Sequence, residues 1–139
     1  MPVDLGSRRP YRRPLTGDVL YTVVGSFGVP VYVDWDKPFG FQRHVALLKP
    51  NRKLLDGYFL KYYLESSLGK YQADLRAVGL AQKTLTLGAL KKYRIPKVDL
   101  ESQRRIVEKI QVAETAKKSF EVHVENTVRV KKAFLSSFL

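Results

Sequence analysis

The first half of the chain contains short apolar runs that alternate with polar positions, as half-buried β-strands do. Residues 18–24 and 29–33 are rich in β-branched and aromatic residues, and the sequence GSFG at 25–28 separates them. Two such runs around a glycine-bearing turn predict an antiparallel hairpin. Residues 41–48 alternate more loosely, and we interpret them as a third strand.

After Pro50 the spacing of apolar residues becomes helical. Asp56 is a typical N-cap, and the helix that follows it is predicted to end at Gly69. A second short helix is predicted over residues 70–78. Residues 91–97 contain a proline, which a sheet tolerates at its edge, so we predict a short edge strand there.

The last forty positions, residues 100–139, contain neither proline nor glycine. One helix of that length would extend about 60 Å, which is too long to fit inside a domain of this size, so we expect it to project. Its apolar residues follow the three- and four-residue spacing of a coiled coil, and such a seam requires a partner helix. A helix that folds back on its own domain is the alternative. The residues predicted to pack against the partner are Ile106, Ile110, Ala113, Phe120, Val124, Phe134 and Phe138.

These elements predict an α+β protein in which a small mixed sheet with helices is followed by a long, coiled-coil-forming helix. Residues 1–17 contain prolines and no periodic apolar pattern, so we expect a basic, irregular arm. Residues 18–99 are predicted to form the globular domain, and residues 100–139 the projecting helix.

Composition narrows the range of functions. The chain has 25 Lys and Arg residues against 13 Asp and Glu residues, a formal charge of +12, and no cysteine. A disulfide scaffold, thiol catalysis and a thiolate zinc site are therefore excluded. No segment approaches the roughly 18 apolar residues of a membrane span. The positive excess indicates a polyanionic partner, with nucleic acid ahead of an anionic membrane surface, although a basic and inert surface remains an alternative.

Catalytic chemistry finds little support in the sequence. His44 and His123 are the two histidines, and neither has a predicted partner group. The chain contains no Asp/Glu-x-Lys triplet of the restriction-nuclease type and no glycine-rich phosphate-binding loop. Asp34 and Asp36 have the spacing to hold a hard cation, but a solvated turn is the simpler interpretation. We therefore expect no enzyme activity, no metal and no cofactor of its own.

Binding chemistry is concentrated before the long helix. Residues 1–99 hold seventeen basic and eight acidic residues, a charge of +9, whereas the helix holds eight basic and five acidic residues. We therefore expect the polyanion to contact the domain and the arm, and a protein to contact the helix. Cations suit phosphates, while polar side chains on exposed turns suit base edges. The predicted DNA-binding residues are Arg8, Arg9, Arg12, Arg13, Ser26, Arg43, Gln82, Lys83 and Thr84.

Five short motifs follow one another along the chain: GDVL at 17–20, GSFG at 25–28, GLAQKT at 79–84, IP at 95–96 and QRRIV at 103–107. In this order, and followed by a long helix, they resemble the DNA specificity (S) subunit of type I restriction–modification enzymes. The resemblance covers roughly residues 15–139. Each motif alone is short, and the specificity of the resemblance comes from their order and spacing.

The resemblance implies a target-recognition domain followed by a spacer helix, an arrangement that members of this family typically contain twice. Two such helices pair antiparallel and set the separation of two DNA half-sites. Methyltransferase (modification) subunits dock on this spacer and bring S-adenosylmethionine, and restriction subunits join the complex. The implied partners are double-stranded DNA, the modification and restriction subunits, and a second copy or another specificity half. The implied localisation is the cytoplasm, and no membrane partner is expected.

The same resemblance places the polar loop at residues 82–84 near the DNA-reading surface, and Ser26 near it or near the DNA backbone. Gln103 and Ile106 would lie at the start of the spacer helix. Recognition domains of the family ordinarily have several tens of residues before the Gly-Asp strand, whereas sixteen precede Gly17 here. We therefore expect a partial recognition domain: a truncated or silent half-subunit, a fragment or one part of a split protein.

Two other functions remain open from the residues alone. A protein–protein scaffold would act through its C-terminal helix, with the basic domain incidental. An RNA-associated protein would stack bases on Tyr58, Tyr62 and Tyr63, although their helical spacing favours core packing.

Overall fold

The computed structural model describes residues 13–35 and 40–138. The arm arginines Arg8, Arg9 and Arg12 lie outside the described residues, and so does Asp36. Contacts between Cα atoms divide the chain into two compact units, Met1–Arg104 and Arg105–Leu139.

A three-stranded antiparallel sheet forms the centre of the first unit. Strands β1 (Val19–Thr22), β2 (Pro30–Tyr32) and β3 (Val45–Leu48) are arranged in the order β2-β1-β3. In this register Leu20 lies opposite both Val31 of β2 and Leu47 of β3. The predicted hairpin is therefore confirmed.

The third strand is shorter than predicted. Residues 41–44 are not part of β3, because Val45 N donates a hydrogen bond to Gln42 O (3.0 Å) and closes a turn there. The expectation of a strand over the whole of 41–48 was wrong for its first half. As a result Arg43 lies in a turn beside the sheet and not within it.

Three helices follow the sheet: α1 (Gly57–Glu65), α2 (Ser67–Arg76) and the single-turn α3 (Leu87–Leu90). The predicted N-cap of α1 is confirmed, because Asp56 Oδ1 accepts from Phe59 N at 3.0 Å. The predicted end of this helix at Gly69 was wrong. Ser66 ends α1 and its hydroxyl accepts from Gly69 N at 3.2 Å, which starts α2 at once.

Gly69 lies inside α2, and its lack of a side chain lets the two helices approach closely. A Cβ at this position would lie 2.4 Å from Tyr63 O and 2.6 Å from Leu64 O. The second predicted helix therefore exists, but it spans Ser67–Arg76 and not residues 70–78.

The edge strand predicted over residues 91–97 is absent from the described part of the chain. The backbone of Arg94 pairs with a side chain: Gln72 Nε2 donates to Arg94 O (3.0 Å), and Arg94 N donates to Gln72 Oε1 (2.9 Å). Because one glutamine side chain satisfies both groups, this backbone needs no neighbouring strand.

Helix α4 (Leu100–Ser136) confirms the predicted long helix. Its 37 residues correspond to about 55 Å. The first turn belongs to the first compact unit and the remainder forms the second. Seven residues were predicted to form a partner-facing seam, and all of them are exposed or half-buried: Ile106, Ile110, Ala113, Phe120, Val124, Phe134 and Phe138.

The hydrophobic core lies between the sheet and helices α1 and α2. Val19 and Tyr21 of β1 are fully buried against Leu60 and Leu64 of α1 and Ala73 of α2. Within the described residues, no helix combines the length and the apolar character that crossing a membrane would require.

Candidate nucleic-acid interface

The segment 79–84 forms a tightly closed loop. Val78 and Thr84 exchange two backbone hydrogen bonds, Val78 N to Thr84 O (2.9 Å) and Thr84 N to Val78 O (2.8 Å). Gly79 has φ +116°, and a Cβ there would lie 2.3 Å from Gln82 O. Glycine is therefore required, and the exposed side chains of residues 80–83 are held on a rigid loop.

This loop lies directly beside the β1–β2 hairpin turn. Gly25 N donates to Lys83 O (3.1 Å), and Leu85 N donates to Val23 O (2.7 Å). A Cβ at Gly25 would lie 3.6 Å from Gln82 Nε2. The structure therefore brings two predicted DNA-binding segments together, the turn with Ser26 and the loop with Gln82 and Lys83.

The turn that contains Arg43 lies at the same end of β1. Val23 N donates to His44 O (2.9 Å), and Thr22 pairs with Val45 across the strands. We call residues 25–28, 42–44 and 79–83 together the loop surface. These segments contain Arg43 and Lys83 and no acidic residue. The loop surface is therefore electropositive and offers polar side chains on exposed turns.

Thr84 differs from the other predicted binding residues of this loop. Its side chain is half-buried, and its backbone N–H and C=O both pair with Val78. Thr84 therefore holds the loop closed, whereas Gln82 and Lys83 are exposed on it.

A second group of cations lies at the opposite end of β1. The buried carboxylate of Asp18 accepts from Leu15 N (2.9 Å) and pairs with the Lys49 ammonium (2.5 Å), and Arg52 Nη2 lies 3.8 Å from it. Lys49 Nζ also donates to Arg13 O (2.9 Å). The backbone of Arg13 therefore lies beside these cations, at the end of β1 opposite the loop surface.

Lys49 and Arg52 were not among the residues predicted from the sequence, although a signal for one of them was present. In an antiparallel pair the residue after β3 must lie beside the residue before β1. Since Leu48 pairs with Val19, Lys49 comes next to Asp18. The strand register would have predicted this ion pair.

The tyrosines considered for base stacking contact other residues of the same domain. Tyr58 stacks on Tyr32 with ring centroids 3.6 Å apart, and the Tyr63 hydroxyl donates to Arg94 O at 2.8 Å. Tyr58, Tyr62 and Tyr63 are all half-buried. Protein packing explains these side chains without a bound nucleic acid.

The base of α4 is fixed by one buried amide. Gln103 is 1% exposed; its Oε1 accepts from Asp56 N (2.8 Å), and its Nε2 donates to Leu54 O (2.9 Å) and Val98 O (2.6 Å). Asp99 caps the same turn by accepting from Ser102 N at 2.9 Å, a hydrogen bond that lowers the pKa of the Asp99 carboxyl.

Within residues 13–35 and 40–138, no cluster of three or more His, Cys, Asp or Glu side chains has a metal-binding arrangement.

Comparison with known proteins defines the class to which this chain belongs. Residues 5–128 match the family described as the type I restriction modification DNA specificity domain. Because the match spans most of the chain, the chain belongs to this family. One relative is the type I restriction enzyme EcoBI specificity subunit of Escherichia coli, which is 29% identical over 126 residues. The matched region is 91% of this chain and 26% of the relative, so the chain spans about a quarter of that protein's length.

Proposed function

We propose that this chain is a non-catalytic DNA-recognition component of a type I restriction–modification system. It directs a methyltransferase and restriction complex to a bipartite DNA site in the cytoplasm. The family membership and the similarity to a specificity subunit support this function over a protein scaffold.

The observation that carries the proposal is the loop surface, where three segments distant in sequence meet without a carboxylate. Arg43 and Lys83 neutralise phosphates, since cations bind the DNA backbone without strict geometry. Gln82 and Ser26 are short polar side chains of the kind that read base edges. Thr84 holds the loop closed through its backbone hydrogen bonds with Val78.

The cations at the other end of β1 add a second phosphate contact. A four-residue strand is about 13 Å long, which is close to the width of the major groove of about 12 Å. Arg52 is exposed there, and Arg13 leads into the arm. The arm arginines Arg8, Arg9 and Arg12 extend this contact along the backbone.

The chain then has three parts: an arm at residues 1–17, a recognition domain at residues 18–99 and a spacer helix at residues 100–139. The exposed apolar residues of α4 pair with the same helix of a second copy or of another specificity half. Antiparallel pairing of two copies gives a two-fold arrangement suited to a symmetric, bipartite site. The modification subunit supplies S-adenosylmethionine, so this chain needs no cofactor.

Methylation mapping tests the proposal. The chain is co-expressed with the modification subunit of a type I system, the two are co-purified, and methylated positions in genomic DNA are mapped. Gln82→Ala and Lys83→Ala are expected to change or abolish the methylated site, while Lys118→Ala on α4 leaves it intact. An unchanged pattern in both loop variants would remove the loop surface from DNA recognition.

A further inference from the structure

Helix α2 buries its small side chains and exposes its large apolar ones. Gly69 and Ala73 are buried, whereas Leu68, Tyr71 and Leu75 are 61%, 63% and 63% exposed. At 100° per residue these three side chains fall within an arc of about 60°. A helix that packs only against its own domain shows the reverse pattern. We call Leu68, Tyr71 and Leu75 the apolar stripe.

Exposed apolar residues continue from the stripe toward the loop surface. Val78 is 57% exposed and Leu80 is fully exposed. Val78 is also the residue that pairs with Thr84 and closes the 79–84 loop. A macromolecule bound on the apolar stripe would therefore lie next to DNA held by the loop surface.

The stripe is bordered mainly by positive charge. The hydrogen bonds between Gln72 and Arg94 fix one segment along α2, and Arg76 Nη2 donates to Lys92 O in the same segment (3.4 Å). Two further charged residues lie on the other flank of the helix. Lys70, Asp74 and Arg76 belong to the helix itself, and the backbone of Lys92 and Arg94 lies along it, so four of these five charged residues are basic.

The exposed apolar side chains and the basic residues beside them are together complementary to one kind of binding partner. DNA binds through phosphates and base edges and offers no wide apolar surface to cover the stripe. A second copy of the chain would place its own basic residues against those beside the stripe. Residues 1–99 of each copy carry a charge of +9, so the two surfaces would repel each other. A protein with an apolar patch edged by Asp and Glu residues is complementary in both respects.

We propose that the apolar stripe of α2 is a docking site for the modification subunit, separate from the seam of α4. This inference rests on the proposed function, which supplies a protein partner that must reach bases next to the loop surface. The partner contributes an acidic-edged apolar patch, and its position beside Val78 and Leu80 brings it to the bound DNA.

The test compares two variants of the full-length chain. Leu68→Gln with Leu75→Gln removes the stripe and keeps good helix formers, and Leu54→Gln makes the same change at an exposed apolar residue outside it. Affinity for the purified modification subunit is measured by calorimetry, and affinity for duplex DNA by fluorescence anisotropy. We expect at least a tenfold loss of subunit affinity in the double variant, with DNA affinity within twofold of the wild type. Leu54→Gln should match the wild type in both measurements.

Several results would overturn the docking site. Equal subunit affinity in the wild type and the double variant would overturn it while leaving the proposed function intact. Failure of the wild type to bind the subunit would contradict both. Sedimentation equilibrium and co-sedimentation with phosphatidylglycerol–phosphatidylcholine vesicles are measured in parallel. If the double variant loses self-association or vesicle binding in place of subunit affinity, the occupant is a second copy or a membrane, and the inference is wrong.

Discussion

Gln103 shows how a single side chain can fix an element. Its amide satisfies one backbone donor and two backbone acceptors, in the segments before α1 and before α4. A buried polar group that loses its partner costs about 1–3 kcal/mol. Gln103 is therefore the residue through which the first turn of α4 is attached to the segments before α1 and α4.

We predict that Gln103→Leu lowers the free energy of unfolding by about 3 kcal/mol, because several backbone groups lose their partners together. Urea denaturation measures the change. Gln111→Leu, the same replacement at a half-buried position further along α4, should change stability by less than about 1 kcal/mol. Equal losses in the two variants would contradict the role of Gln103.

Tyr21 makes stability sensitive to alkaline pH. Burial, together with a hydrogen bond to the Tyr93 hydroxyl (3.4 Å), raises the pKa of Tyr21, and burial also raises the pKa of Tyr93. The unfolded chain therefore loses these protons at lower pH than the folded chain. The stabilisation is complete below about pH 10, the ordinary tyrosine pKa, and declines as pH rises above it.

We predict a melting temperature that falls between pH 10 and 11 more steeply in the wild type than in Tyr21→Phe. One ionising group changes stability by at most about 1.4 kcal/mol per pH unit. Thermal melts followed by circular dichroism at pH 8–11 measure both slopes. Parallel slopes would show that Tyr21 does not carry the effect.

At the scale of elements, helix α4 exposes its predicted seam for pairing. We predict that Val124→Lys, within the seam, weakens self-association at least tenfold, because it introduces a charge into an apolar helix interface. Val122→Lys makes the same change about 200° away around the helix and is expected to have little effect. Sedimentation equilibrium measures both. A monomeric wild type, or equal effects of the two variants, would contradict pairing through this seam.

Local signals predicted most elements correctly. The GSFG turn between two β-branched runs specified the hairpin, and forty residues without proline or glycine specified α4. The break between α1 and α2 was predicted at Gly69 and lies at Ser66, because a serine, and not a glycine, ends one helix and caps the next. The prediction of an edge strand over residues 91–97 was wrong because the side chain of Gln72, twenty-two residues from Arg94, satisfies the Arg94 backbone groups.

The loop surface was only partly predictable for the same reason. Each segment carries a local signal: a glycine-bearing turn, a basic turn or a polar loop. That Gly25 pairs with Lys83, nearly sixty residues away, depends on tertiary packing that periodicity does not report. The position of the Arg13 backbone at the other end of β1 likewise depends on a tertiary contact, its hydrogen bond with Lys49.

At the scale of the whole molecule, charge is divided between two parts. The segment 1–99 carries +9 and the segment 100–139 carries +3. Under the proposed function, cations on the loops of the first unit set DNA affinity, while α4 and the apolar stripe of α2 are surfaces for proteins.

The salt dependence of duplex DNA affinity tests whether the cations of the loop surface bind DNA phosphates. For the wild type, the logarithm of the association constant should fall linearly with the logarithm of salt concentration. Replacing both Arg43 and Lys83 by Ala should reduce the slope by about 1.8, since each phosphate contact contributes about 0.9. Replacing both Lys117 and Lys118 on α4 should leave the slope unchanged. A flat wild-type curve, or a slope reduced by the α4 variant and not by the loop variant, would show that the cations of the loop surface do not set DNA affinity.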